Sequence, residues 1–147
     1  MTAPLEGAQR ADALHAARSR LIDAFGEAEG VLVILLRNAD AKVLNAPLSQ
    51  KIAAVRKIAP SPRYSKSRRD SVHQALDKLQ DLLGRRAEIA HSPMRFVRII
   101  GDAEERAAFC NPAMQPDHGE VIVLHRRQDL IDLAAEVRAI AKELAGG

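Results

Sequence analysis

Arg86 and His91 are the two side chains whose type and spacing point to chemistry, in the stretch from Leu79 to Pro93 that reads LQDLLGRRAEIAHSP. A guanidinium is a permanent cation whose fork of donors matches phosphate oxygens, and an imidazole exchanges its proton near neutral pH. Together they can hold a phosphate and move a proton. Placed on a helix at 100° per residue, Val72, Ala75, Leu76, Leu79, Leu82, Leu83, Ile89 and Ala90 form one apolar stripe, and Arg86 falls in its middle. Arginine does not shed its charge in a protein, so at such a position it must be paired, border a wet groove or sit at an interface. His91 lies on the flank of the stripe beside Gly84 and Ala87, whose small side chains leave room for the ring. Pro93 pushes Ser92 out of the helical region and should end the helix there. A histidine in a last turn meets unpaired carbonyls and the negative end of the macrodipole, which favours its protonated form. Five residues correspond to about 140° around an ideal helix, so the two groups converge only through side-chain reach, a frayed end or a second subunit.

Arg86-Ala-Glu-Ile-Ala-His91, or Arg85 to His91 with five residues between, resembles the mark of the HEPN superfamily: arginine, four to six residues, then histidine, near the end of a late helix of a bundle. The longer stretch Leu-Gly-Arg-Arg-Ala-Glu-Ile-Ala-His-Ser is similar to that family's common form, Arg-Asn-x-Ile-Ala-His followed by Gly or Ser. The departure is Ala87, where active members carry a polar residue, often Asn; it bears on catalysis more than on fold. Long helices before the motif, a break after it and a closing helix extend the likeness over roughly residues 14 to 145.

The resemblance implies a metal-independent endoribonuclease without a cofactor. In that mechanism Arg86 holds the scissile phosphate and stabilises its developing charge, and His91 is general acid or base for attack by a ribose 2′-hydroxyl. Glu88 and Arg85 are candidate supporting residues. Glu88 reads more simply as an exposed glutamate or an ion-pair partner of Arg85. The alternative is a non-catalytic member that binds RNA, a nucleotide or a protein such as a cognate antitoxin, with Arg86 a buried structural ion and His91 a helix cap. Members of the family commonly place two such motifs across a dimer. An arginine on an apolar stripe flanked by Gly84 and Ala87 suits the same homodimer.

The elements that must position these residues follow from composition and period. Hydrophobic residues make up 47% of the 147-residue chain and charged ones 28%, which is globular, and aromatics are only 3% with no Trp. A core of Leu, Ile, Val and Ala favours packed helices over a β-sandwich. One domain over residues 13–147 is expected after a loose terminus at 1–12, which carries Pro4 and Gly7 without clear period. A single cysteine, Cys110, excludes an internal disulfide and a cysteine-based zinc site, and reads as a small buried hydrophobe. The longest apolar run, Val31 to Leu36, is too short to cross a bilayer, and no leader pattern opens the chain, so a cytoplasmic protein is expected.

Leu14, Ala17, Leu21, Phe25, Ala28, Leu32 and Leu36 predict a first long helix, within which Gly26 and Gly30 read as a close-contact patch. His15 reads as a surface residue. Ser49 to Ala59 predicts a second, shorter helix stopped by Pro60 and Pro62. A third begins near Ser67, with Asp70 as its capping partner, and runs unbroken into the Arg86 stretch. Arg68 and Arg69 sit badly in its first turn, where cations oppose the macrodipole. After Pro93, Arg95–Ile100, Arg106–Asn111 and Glu120–His125 read as strands. Asp102 and Glu105 offer a competing short helix. Pro112, Pro116 and Gly119 make loop. No ligand spacing supports a metal on His91, Asp117, His118 and His125. Leu130, Leu133, Ala134, Val137, Ile140, Ala141 and Leu144 predict a closing helix ending at Gly146. The fold expected is mostly α: an up-and-down bundle of about four main helices with a small β insertion at about residues 95–125 before the last.

Between Asp40 and Asp70 there is no acid, while Lys42, Lys51, Arg56, Lys57, Arg63, Lys66, Arg68 and Arg69 supply cations; the formal net charge is +3. This segment reads either as a solvated linker or as an anion-facing surface. In the second reading Arg56, Lys57, Arg63, Lys66, Arg68 and Arg69 meet nucleic-acid phosphates and Tyr64 stacks on a base. No glycine-rich phosphate loop accompanies the charge, which argues against a nucleoside triphosphatase.

Overall fold

In the computed structural model the described residues are 7–43, 45–91, 94–101, 104–110 and 122–146, with the side chains of Ala8, His91, Cys110, Ile122 and Val123 outside that description. Helix α1 spans Gly7–Asn38, α2 Leu48–Arg56, α3 Lys66–Asp81, α4 Leu83–His91 and α5 Arg127–Ala145; strands β1 Met94–Arg98, β2 Glu105–Cys110 and β3 Ile122–His125 precede α5. The protein is mostly α with a small antiparallel insertion before the last helix. The stretch 105–110 is a strand, and the helix begun by Asp102 does not form through it. No helix among the described residues is long and apolar enough to cross a membrane.

The apolar periods became the buried faces. Leu14, Ala17, Leu21, Phe25, Ala28, Leu32 and Leu36 on α1 are all buried, as are Leu130, Leu133, Ala134, Val137, Ile140, Ala141 and Leu144 on α5. Helix α1 starts at Gly7, earlier than its period predicts, because residues 7–12 hold strong helix formers and no proline. Gly26 and Gly30 do not form a close-contact patch. Both are exposed, and a Cβ added at either would meet nothing within 4 Å.

The chain forms two compact units, Met1–Ile22 with Arg85–Ala134, and Asp23–Gly84 with Ala135–Gly147. In the first, β2 lies between β1 and β3, with Met94 opposite Phe109, Arg98 opposite Glu105 and Ala107 opposite His125. Ala107, Ala108 and Phe109 are buried, as a central strand requires, and Phe109 contributes about 2 kcal/mol by leaving water. Gly101 takes the left-handed conformation (φ 87°) in the turn after β1. Arg18 on α1 donates from Nε to the Ile89 carbonyl at 2.9 Å, satisfying one of the carbonyls that the end of α4 leaves open. Helix α5 is started by Asp129, which accepts from the Arg126 N–H at 2.8 Å.

In the second unit the later part of α1, α2, α3 and the end of α5 pack through Leu32, Leu36, Ile52, Val55, Val72, Leu76, Leu79, Ile140 and Leu144. The cap of α3 is Ser65, whose hydroxyl accepts the Arg68 N–H at 3.1 Å, and not Ser67. The predicted third helix is not continuous. It stops at Leu82, whose N–H bonds the Leu79 carbonyl at 3.0 Å, and a separate helix, α4, begins at Leu83. Gly84 follows at once, and a glycine there gives helical continuity little support.

Candidate functional site

Helix α4 carries the motif. Arg85 is exposed, Arg86, Ala87 and Glu88 are half-buried, and Ile89 is buried at 1% exposure. The predicted continuous helix is interrupted at Leu82, so Arg86 does not share a helix with the α3 stripe. Val72, Ala75, Leu76 and Leu79 belong to one helix and Arg86 to the next. Arg86 is therefore not a core cation; it is partly open to water, and it makes no hydrogen bond or ion pair among the described residues. Arg85 and Glu88 likewise form no ion pair with each other among the described residues. Gly84 is exposed with open space where a Cβ would stand. His91 is the last residue of α4, so its backbone is at the helix end the spacing predicts. Its side chain, and Ser92 and Pro93, lie outside the described residues.

His125, which sequence reading weighed with His91 only as an unsupported metal ligand, feels the charges of Arg85 and Glu88 on this helix. Its Nε2 is buried without a hydrogen-bond partner among the described residues, and its ring stands edge-on to Phe109 at 5.8 Å. Burial lowers its pKa; the carboxylates of Asp129 and Glu88 pull the other way, and Arg85 adds to the lowering. The imidazole is thus biased towards its neutral form. The Arg18 guanidinium lies 5.9 Å from the Phe109 ring on which His125 abuts. No local pattern announces this cluster, because its members come from separate helices and strands. His15, exposed, meets Phe96 edge-on at 5.4 Å. His118 and Asp117, with the loop around them, lie outside the described residues.

The basic segment divides into held and free cations. Lys51, buried, pairs with Glu29 at 2.6 Å, and Arg56 bonds Asp77 at 2.6 Å and Gln80 at 3.1 Å. Arg68 donates to the carbonyls of Glu143 (3.0 Å) and Leu144, and Arg69 to those of Ile58 (2.9 Å) and Arg56 (3.2 Å). These two arginines sit badly only for their own helix. Their side chains reach the carboxyl ends of α5 and α2, where a cation belongs. Lys42, Lys57, Arg63 and Lys66 are exposed and make no ion pair among the described residues.

Tyr64 is 9% exposed, so its ring has no open face on which a base could stack. Burial raises its pKa against the lowering influence of Arg68 and Arg69, and its hydroxyl is buried without a partner among the described residues. Ser61 and Tyr64 close a tight turn through N–H to carbonyl bonds of 2.8 and 3.0 Å in the two directions, with Pro62 at its second position and Arg63 at its tip.

Among the described residues no group of three or more His, Cys, Asp and Glu side chains is placed to hold a metal ion. Comparison with known proteins gives no match to a family model, a curated protein or a solved structure.

Proposed function

We propose that this chain is a HEPN-like helical protein of the cytoplasm that acts on RNA through α4, with Arg86 on the scissile phosphate and His91 as the proton-transferring group. The reading is supported most by the state of Arg86: half-open on α4, it has no hydrogen bond or ion pair among the described residues, and its guanidinium fork matches a phosphate. Arg85, exposed one residue earlier, adds a second cation on the same helix. A homodimer, bringing two such helices together, is part of the proposal. The open space at Gly84 suits that approach. The second reading is a non-catalytic module for RNA, a nucleotide or a protein partner such as an antitoxin. It draws on Ala87, which supplies no polar group beside Arg86.

The test is cleavage of a mixed RNA pool in the presence of a metal chelator. His91→Ala is expected to lose about 10²–10⁴ in rate, the usual share of general acid–base catalysis. Arg86→Lys keeps the charge and loses the bidentate fork, and is expected to fold, dimerise and fail to cut. Wild-type protein that leaves the pool intact, with any co-purifying partner removed, sinks the enzyme reading. The binding reading then stands or falls on RNA affinity that weakens steeply with salt.

A further inference from the structure

A half-open cavity of about 710 Å³ lies in the second unit, and nothing in the reading of α4 uses it. Its walls come from three chain reversals. Helix α1 ends in a motif where the Ala41 N–H bonds the Leu36 carbonyl (2.9 Å) and the Asp40 N–H the Arg37 carbonyl (3.1 Å), with Asp40 left-handed at φ 55°. Helix α2 ends at Lys57, whose N–H bonds the Ala54 carbonyl at 3.1 Å. The turn Ser61–Tyr64 supplies the remaining wall and places Arg63 at the cavity.

The lining decides what such a cavity accepts. Lys57 and Arg63 are exposed and without an ion pair among the described residues, and Asp40 is the one acid among the described residues that line it. Two helix carboxyl ends would ordinarily favour a cation. Here that tendency is spent, because α1 satisfies its own last carbonyls and Arg69 takes those of Arg56 and Ile58. The surplus is therefore positive. A bare phosphate would fill little of the volume and leave the apolar side chains of Leu35 and Ile58 in water. A planar or apolar body attached to the anion would cover them.

We propose that this cavity binds a small phosphomonoester with a planar or apolar body, its phosphate held between Lys57 and Arg63. A dianionic phosphomonoester answers two cations better than a carboxylate does. The ligand is either a free small molecule or the 5′-phosphorylated end of an RNA strand. No residue of the site lies on α4, so the outcome is independent of the proposed RNA chemistry.

The experiment is calorimetric or NMR titration of the full chain with phenyl phosphate, inorganic phosphate and phenol. Phenyl phosphate is expected to bind more tightly than either half alone. Lys57→Ala and Arg63→Ala should each weaken it by about tenfold or more, the share of one charge-assisted contact. Both side chains are exposed, so the thermal midpoint should not move. Titration with 5′-phosphorylated and 5′-hydroxyl dinucleotides separates the two sources. A preference for the phosphorylated strand over phenyl phosphate assigns the strand end, and the reverse order assigns a small molecule. Equal affinity of phenyl phosphate for wild type and the double variant Lys57→Glu, Arg63→Glu overturns the proposal, as does no binding to wild type at roughly 10 mM, weaker than ordinary fragment affinities.

Discussion

The Arg69 guanidinium donates from Nε to the Ile58 carbonyl at 2.9 Å and from a terminal nitrogen to the Arg56 carbonyl at 3.2 Å, closing the carboxyl end of α2 from the first turn of α3. A cation counted by its place in a basic segment is thereby a structural cap. Its neighbour Lys66 is exposed and makes no ion pair among the described residues.

Stability separates the two. Arg69→Ala strands two partly buried carbonyls and is expected to cost about 1–3 kcal/mol, against no more than about 0.5 kcal/mol for Lys66→Ala. Urea midpoints of the two variants measure this directly. Equal midpoints would return Arg69 to the pool of free surface charge.

The Lys51 and Glu29 pair has a different dependence on which partner is removed. Lys51 has a side chain 8% exposed and Glu29 one 27% exposed, at 2.6 Å. Glu29→Ala leaves a buried ammonium without its carboxylate and is expected to cost about 3 kcal/mol, the low end for a broken buried pair because water reaches the glutamate. Lys51→Met removes the charge and keeps an unbranched apolar stem; it should cost less than half as much. Chemical denaturation of both variants checks the order, and a reversed order would show that the ammonium is solvated.

His125 gives the first unit a pH dependence with a definite sign. Burial holds its folded pKa below the ordinary value of 6.5. Above 6.5 both folded and unfolded forms are neutral and the group contributes nothing. As pH falls below that value the unfolded chain takes up the proton first, so stability declines until the folded pKa is passed, then levels off. Removing a neighbour shifts the window. Glu88→Gln deletes a raising influence and should lower the His125 pKa; Arg85→Gln deletes a lowering one and should raise it. An NMR titration of the imidazole in each variant reads both directions, and shifts of the same sign in the two would contradict this account.

The elements were legible in the chain wherever the signal is local. A repeat of apolar residues at helical spacing is a property of neighbours in sequence, and it marked the buried faces of α1 and α5 residue by residue. The β-branched stretches after Pro93 likewise marked the insertion. The stretch that holds Arg86 and His91 was likewise legible as helix ending at His91.

Tertiary structure decided what each polar group does. Whether a cation is free depends on whether an open carbonyl or carboxylate reaches it, and those partners stand far along the chain: 11 residues for Arg69 and Ile58, 22 for Lys51 and Glu29, 75 for Arg68 and Glu143. A count of charges in the segment 41–69 has no access to that distinction. The same holds for Tyr64, read as a stacking platform and found buried, and for His125, whose state is set by Phe109, Asp129, Glu88 and Arg85. The interruption at Leu82 belongs here too. Periodicity projects every apolar residue of 72–90 onto one cylinder, whereas the chain forms two helices there, α3 ending at Asp81 and α4 starting at Leu83, and Arg86 on the second is half-buried.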